Sequence, residues 1–380
     1  MREAKPMNHT LCFSFPLLFL LAGTCTFADA FEAAKTLEIG DSAPDFNLPG
    51  VDGRNHRLSD FKDNRILVVV FTCNHCPTAQ AYEKRIQALA DAYRGKSVAL
   101  VAISPNDPKA VRLDELGYTD LSDSFEEMKI RAKDRNFTFP YLYDGDDEKV
   151  SLAYGPTATP HVFVFDRDRK LRYAGRVDDS EKPEKVKVSD ARNAIEALLT
   201  GSQVTVEKTK TFGCSIKWSD KGPSVKSAFA HWANEPVSLE TIDEKGIGEL
   251  VRNNSKKLRL VNVWATWCGP CVVEFPELVT INRMYRGRDF ELITISADAP
   301  EKRNDALAFL TKQQASSKNY LFNVDNKYTL MDALDKEWAG ALPYTLLIEP
   351  GGKIIYRVMG ELSPLDLKKA IVGSLGRYYP

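Results

Sequence analysis

Arg259-Leu-Val-Asn-Val-Trp-Ala-Thr-Trp-Cys-Gly-Pro-Cys271 is the stretch that decides how this chain is read. Strand-forming residues run into a Cys-x-x-Cys pair, and a helical pattern follows to about Tyr285. A cysteine where a buried strand turns into a helix faces the unpaired N–H groups and positive dipole end of that helix, which favour thiolate over thiol. A second cysteine one turn on can close a reversible disulfide. The same plan stands earlier in the chain: Arg65-Ile-Leu-Val-Val-Val-Phe-Thr72, then Cys73-Asn-His-Cys76, then a helical pattern to about Arg94. Two dithiol/disulfide centres are therefore expected.

Working outward, the two regions repeat one sequence of elements. Strand Val98–Ser104 and a helix around Ser124–Asn136 follow the first pair; strand Phe290–Ser296 and a helix around Lys302–Lys312 follow the second. Both regions close with a Pro-led strand, a second strand and a last helix. Thr159-Pro160 through Gly175 leads to Ser189–Thr200, and Leu342-Pro343 through Gly360 leads to Ser363–Leu375. Alternating helices and strands ending in a hairpin describe an α/β fold, a mixed sheet flanked by helices, present twice. The expected organisation is a leader over 1–30, a first domain over 36–200, a linker over 201–236 and a second domain over 237–378. The linker assignment rests on Gly201-Ser-Gln203, Lys221-Gly-Pro-Ser224 and Glu235-Pro236.

The chain has 380 residues, with 51 basic and 52 acidic side chains spread along it, so no basic stripe argues for nucleic acid. Arg2 and Lys5 precede an apolar stretch from Leu11 to Ala22, and Ala28-Asp-Ala30 supplies a small-x-small cleavage signature. That is the pattern of a secretory signal peptide, too short to span a bilayer as a mature helix. A periplasmic or secreted location follows, with a lipoprotein at Cys25 or an uncleaved anchor as lesser alternatives. No other segment is apolar enough to span a membrane. Of the seven cysteines, Cys12 and Cys25 would leave with the leader. In an oxidising compartment, two close pairs plus an odd Cys214 suit redox centres better than a structural disulfide framework.

The second region resembles the thioredoxin superfamily, and its exported TlpA/ResA type in particular. Trp264-Ala-Thr-Trp-Cys-Gly-Pro-Cys271 is close to that family's active-site sequence. Pro276 stands where the family's helix-kinking proline lies, Leu342-Pro343 matches its cis-proline loop, and Glu274-Phe-Pro276 follows the dithiol. The first region is similar to the redoxin group related to peroxiredoxins (AhpC/TSA-like), through Gly40-Asp-Ser-Ala-Pro-Asp-Phe-Asn-Leu48, Phe71-Thr-Cys-Asn-His-Cys-Pro77 and Thr159-Pro160. It departs from true peroxiredoxins in lacking Pro-x-x-x-Thr-x-x-Cys.

The resemblance implies a thiol–disulfide oxidoreductase that needs no cofactor beyond its cysteines. Cys73 and Cys268 would be exposed nucleophiles, and Cys76 and Cys271 would resolve the mixed disulfides. Thr159, Pro160, Leu342, Pro343 and Trp267 would contact substrate, with Pro160 and Pro343 in cis bonds. His75, Gly269 and Pro270 would tune the two pairs, His75 by stabilising the Cys73 thiolate and raising the first potential. Otherwise His75 faces solvent with little effect. Glu274, one turn beyond Cys271, would accept its proton, unless it is an ordinary solvated glutamate. Half of a zinc site, or two buried apolar cysteines, are the competing readings of a single pair, but zinc wants four ligands and no convincing set is present. Cys214 is either a buried free thiol or a relay cysteine, and Phe212, Trp218 and Trp232 suggest that its segment packs against a domain.

The expected partners are protein disulfides or dithiols, with a membrane electron donor or apocytochrome c as candidates. A peroxiredoxin-like peroxidase with a fused reductase domain, and a partner-binding module with vestigial redox chemistry, are the alternatives.

Overall fold

The structure, a computed structural model, describes Met1, residues 34–323 and residues 327–379. The expected leader, with Cys12, Cys25 and Ala28-Asp-Ala30, lies outside the described residues.

The first half opens with a short ladder, β1 (Asn47–Pro49) and β2 (Asn55–Arg57). Then come β3 (Ile66–Phe71), α1 (Pro77–Tyr93), β4 (Val98–Ser104), α2 (Phe125–Arg135), β5 (Tyr141–Tyr143), α3 (Lys149–Tyr154), β6 (His161–Phe165), β7 (Leu171–Gly175) and α4 (Asp190–Leu199). Its sheet has the order β5-β4-β3-β6-β7. β4 pairs parallel with β3 and β5, whereas β6 pairs antiparallel with β3 and β7. β3 carries no polar residue because it is covered on both faces. Ile66, Val68 and Val70 pack with α1 and α4 residues such as Tyr82, Ile86 and Ile195. Leu67, Val69 and Phe71 pack on the other face with Tyr154 of α3.

After α5 (Gly222–Ala233), the second half runs β8 (Glu240–Ile242), α6 (Glu244–Arg252), β9 (Leu258–Trp264), α7 (Gly269–Tyr285) and β10 (Phe290–Ser296). It ends with α8 (Arg303–Lys312), β11 (Lys318–Phe322), α9 (Lys327–Leu334), β12 (Tyr344–Ile348), β13 (Ile354–Met359) and α10 (Pro364–Leu375). The sheet order is β13-β12-β9-β10-β11-β8. Leu258, Leu260 and Trp264 pack with α7, α8 and α10, and Val261 and Val263 with α6 and α9. Both halves are thus mixed sheets flanked by helices, as the repeated pattern implies.

The halves share packing. Val111 and Leu116 of the first half are buried in the same apolar cluster as Phe275, Leu278 and Met284 of α7. The Tyr285 hydroxyl donates to the Thr119 carbonyl at 2.7 Å, and Arg288 donates to the Gly117 carbonyl at 3.0 Å. Beyond α10, Arg377 makes a bidentate pair with Asp120 at 2.6 and 2.8 Å. Burial works against the Asp120 carboxylate, yet Arg377 and Arg131 hold it down at about 2.

The segment between the halves is not free. Lys208 bridges to Ala174 of β7, Ile216 and Lys217 are buried, and the Lys217 backbone exchanges hydrogen bonds with Asn106 and Asp107. Phe212 lies against Tyr82, and Trp232 of α5 is buried beside Arg283.

Candidate functional site

In the second half, Cys268 and Cys271 form a disulfide. Cys268 ends the loop after β9 and caps α7, its sulfur accepting from the Cys271 N–H at 3.3 Å. A sulfur at a helix N-terminus is stabilised as thiolate by that N–H and by the aligned peptide dipoles. Both cysteines are buried, Gly269 and Pro270 form the exposed first turn of α7, and the neighbouring Trp267 is 70% exposed. Leu342–Pro343 is cis, and the next residue, Tyr344, pairs with Val263 of β9.

Glu274 is not solvated, being only 7% exposed. Its carboxylate accepts from Asn262 Nδ2 at 3.2 Å and from the Leu362 N–H at 3.1 Å. Burial raises its pKa despite those two donors. A carboxyl group held in this way exchanges a proton closer to neutral pH than an exposed glutamate does.

The first centre differs in register from what the shared spacing suggests. Thr159–Pro160 is cis, and the following His161 pairs with Phe71 of β3. Phe71 therefore matches Val263, which pairs with the residue after the other cis proline. Cys76 lies five residues beyond Phe71 and Cys268 lies five beyond Val263, and each caps the helix that follows. Cys76 is thus the counterpart of Cys268, and Ala79 stands where Cys271 stands. Cys73 sits a turn upstream, in the loop. The expectation that Cys73 and Cys268 are exposed nucleophiles is corrected: all four paired cysteines are buried, and at the first centre it is Cys76, not Cys73, that caps the helix.

Electrostatics follow that geometry. The Cys76 sulfur accepts from the Ala79 N–H at 3.4 Å and from the Cys214 N–H at 3.3 Å. As a thiol it can donate to the Thr159 carbonyl, 3.4 Å away. Burial opposes its ionisation, but the donors and the charge of His75 bring its pKa well below the usual thiol value. Burial, the Cys76 sulfur and the Asp123 charge push Cys73 well up, and Thr159 Oγ1 lies 3.2 Å from its sulfur.

His75 is buried. Its Nδ1 lies 2.5 Å from Asp123 Oδ2, in a pair almost without solvent. Burial pulls its pKa down, but the Asp123 charge and hydrogen bond overcome this and the net shift is upward. Among the described residues its Nε2 meets no hydrogen-bonding nitrogen or oxygen, and Asp123 and the Cys76 sulfur are the groups that favour its charged form. A solvent-facing His75 is excluded, and the thiolate it supports is that of Cys76.

Sequence reasoning missed Asp123 and Asn106. Asp123 accepts from the N–H groups of Asn74 and His75 at 2.8 and 3.0 Å, and from Asn106 Nδ2 at 2.7 Å. It lies on the loop before α2, far from the cysteines in sequence, and only the fold brings it in. Donor atoms of Cys73, His75 and Asp123 lie within 4.8 Å of one another. The Asp123 oxygens are already taken by protein donors, so this trio makes a poor cation site.

Residues 39–174 match the family model described as AhpC/TSA family, and residues 238–371 match the one described as Redoxin. The chain is 26% identical to the thiol-disulfide oxidoreductase ResA of Geobacillus thermodenitrificans over 160 residues, 41% of this chain and 80% of that protein. It is 29% identical to the thiol:disulfide interchange protein HelX of Rhodobacter capsulatus over 117 residues, 30% of this chain and 59% of that one. Among solved structures, an uncharacterized conserved protein from Geobacillus kaustophilus shares 38% identity. That match covers 48% of this chain and 93% of the other, with a TM-score of 0.43.

Proposed function

The chain is a thiol–disulfide oxidoreductase built of two tandem thioredoxin-superfamily domains, and from that premise we propose that it exchanges electrons with protein disulfides outside the cytoplasm through both cysteine centres. The observation that carries this reading is the repeated placement of Cys76 and Cys268. Each is a sulfur at a helix N-terminus, on a loop that leaves the central strand beside a cis-proline strand.

At the second centre, the Cys268 thiolate attacks a substrate disulfide, forming a bond to one substrate sulfur and releasing the other as thiolate. Cys271 gives its proton to Glu274 and attacks Cys268, closing the Cys268–Cys271 disulfide and freeing the second substrate sulfur. The protein is then oxidised by two electrons, and a dithiol donor resets it. Trp267, Leu342 and Pro343 frame the approach to Cys268. At the first centre Cys76 takes the attacking role, supported by His75 and Asp123. A more stabilised thiolate favours the dithiol form, so the first centre has the higher reduction potential and accepts electrons from the second. Export rests on the leader pattern, and a membrane electron donor or apocytochrome c are the partner classes in view.

The test is dithiol-driven reduction of a disulfide-bonded protein by the full chain and its variants. Cys268→Ser lowers turnover and Cys268→Ser with Cys76→Ser abolishes it if the reading holds; turnover unchanged by the two substitutions together overturns it. The AhpC/TSA match favours a second reading, in which peroxide oxidises Cys76; peroxide-dependent consumption of dithiol by the full chain separates the two.

A further inference from the structure

The groove beside the first cis proline is already filled, and the segment that fills it brings a third cysteine. The Cys214 carbonyl accepts from the Thr159 N–H at 3.0 Å, and the two residues form an antiparallel bridge. On its other side the Cys214 N–H donates to the Cys76 sulfur at 3.3 Å. An extended segment paired with the residue before a Pro-led strand is held by main-chain bonds, the way a peptide is taken up by a sheet edge.

The approach is built in, not incidental. Gly213 has φ +142°, and a Cβ there would overlap the Thr159 carbonyl oxygen, so only glycine lets the segment come this close. Buried Ile216 and the Lys217 backbone bonds to Asn106 and Asp107 anchor one end, and Thr157 Oγ1 meets Thr211 Oγ1 at 2.9 Å at the other. The Cys214 side chain packs on the cluster formed by Cys73, Cys76 and Ala79. It is half-buried where Cys73 and Cys76 are sealed, and Tyr379 Oη lies 3.9 Å from its sulfur.

We infer that Cys214 is a third redox thiol, and that the first centre closes through a Cys76–Cys214 disulfide. This rests on the reading of Cys76 as an exchanging sulfur. Three features select this pair over Cys73–Cys76. Cys214 occupies the place where a substrate sulfur would be presented. Cys76 is the helix-capping sulfur. Cys214 alone of the three reaches the surface, where it can pass the disulfide on.

With glutathione disulfide as oxidant the step balances. The Cys214 thiolate, the one at the surface, attacks one glutathione sulfur, and the first glutathione thiolate leaves. The Cys76 thiolate then attacks Cys214, the Cys214–glutathione bond breaks, and a second glutathione thiolate leaves. Two protein thiols are oxidised, one glutathione disulfide is reduced, and two protons pass to solvent or to glutathione.

The test uses the reduced full chain oxidised with glutathione disulfide, quenched in acid, alkylated and mapped by peptide mass. In the parent protein the first centre yields a peptide cross-linked through Cys76 and Cys214. The Cys73→Ser variant keeps it and Cys214→Ser loses it. Gly213→Ala, which retains the thiol but moves the segment, slows its formation by about tenfold to a hundredfold, the scale of an ångström misplacement. A Cys73–Cys76 cross-link alone, with Cys214 alkylated at every time point, overturns the inference and leaves the exchange reading standing. Failure of Cys73, Cys76 and Cys214 to oxidise at all while Cys268–Cys271 closes overturns both for this centre.

Discussion

Replacing Asp123 with Asn is expected to raise the pKa of Cys76 without touching either cysteine. The carboxylate is fully buried and accepts from Asn74 N, His75 N, His75 Nδ1 and Asn106 Nδ2, all at 2.5 to 3.0 Å. Asn can keep the two backbone bonds with its carbonyl oxygen. Its amide group would then face His75 Nδ1, which can answer only as the acceptor of a neutral imidazole. The cation beside Cys76 is thereby removed. An opposite charge close to a thiol favours its thiolate, so loss of the imidazolium raises the Cys76 pKa. Breaking a buried ion pair costs about 3–5 kcal/mol. The low end applies here, because His75 can discharge instead of remaining an unpaired charge. The assay is the pH profile of iodoacetamide alkylation at Cys76, read by peptide mass in the full chain. The midpoint moves up. A folded Asp123→Asn protein whose profile coincides with that of the parent would refute this account of the first centre.

Further outcomes follow from the same geometry. The His75 pKa is raised from 6.5, so its contribution to folding is fully present below pH 6.5 and is lost as pH rises through the raised value. Urea titrations show that decline in the parent and not in Asp123→Asn. At the second centre, the buried Glu274 has a raised pKa, so the parent exchange rate climbs with pH as Glu274 ionises. Glu274→Gln matches the parent at low pH and falls behind by about a hundredfold or more above it, the scale of a lost general base; identical profiles would remove Glu274 from the mechanism. Arg377→Ala leaves the buried Asp120 with Arg131 as its nearest cation and costs about 3 kcal/mol in urea unfolding; a loss under about 0.5 kcal/mol would show that the tie between the halves contributes little. Equilibration with glutathione, each centre measured in a full chain whose other centre is Ser-substituted, gives the first centre the higher potential; an equal or lower value contradicts the role of His75.

Much of this was legible in the sequence because the physics is local. Ile66–Phe71 and Leu258–Trp264 declare themselves as central strands, since a strand covered on both faces must be apolar on both. Val98–Ser104 and Phe290–Ser296 were readable for the same reason. The shared Cys-x-x-Cys spacing misled, because spacing says nothing about which residue caps the helix. The cue was Pro77, a proline suited to the first helical position, directly after Cys76. Asp123, Asn106 and the pairing of Cys214 with Thr159 are long-range, and no local pattern announces them. Burial of Glu274 depends on the Leu362 loop closing over it, again a tertiary event.

The central claim, that a helix-capping cysteine exchanges disulfides with proteins, is tested most directly by trapping. Cys271→Ser leaves Cys268 unable to resolve a mixed disulfide. The account predicts that the reduced full-length variant, mixed with a disulfide-bonded protein, accumulates a covalent adduct at Cys268 that dithiothreitol releases. The Cys268→Ser, Cys271→Ser double variant should form none at this centre. Absence of any Cys268 adduct, with the protein folded and the thiol free, would contradict it.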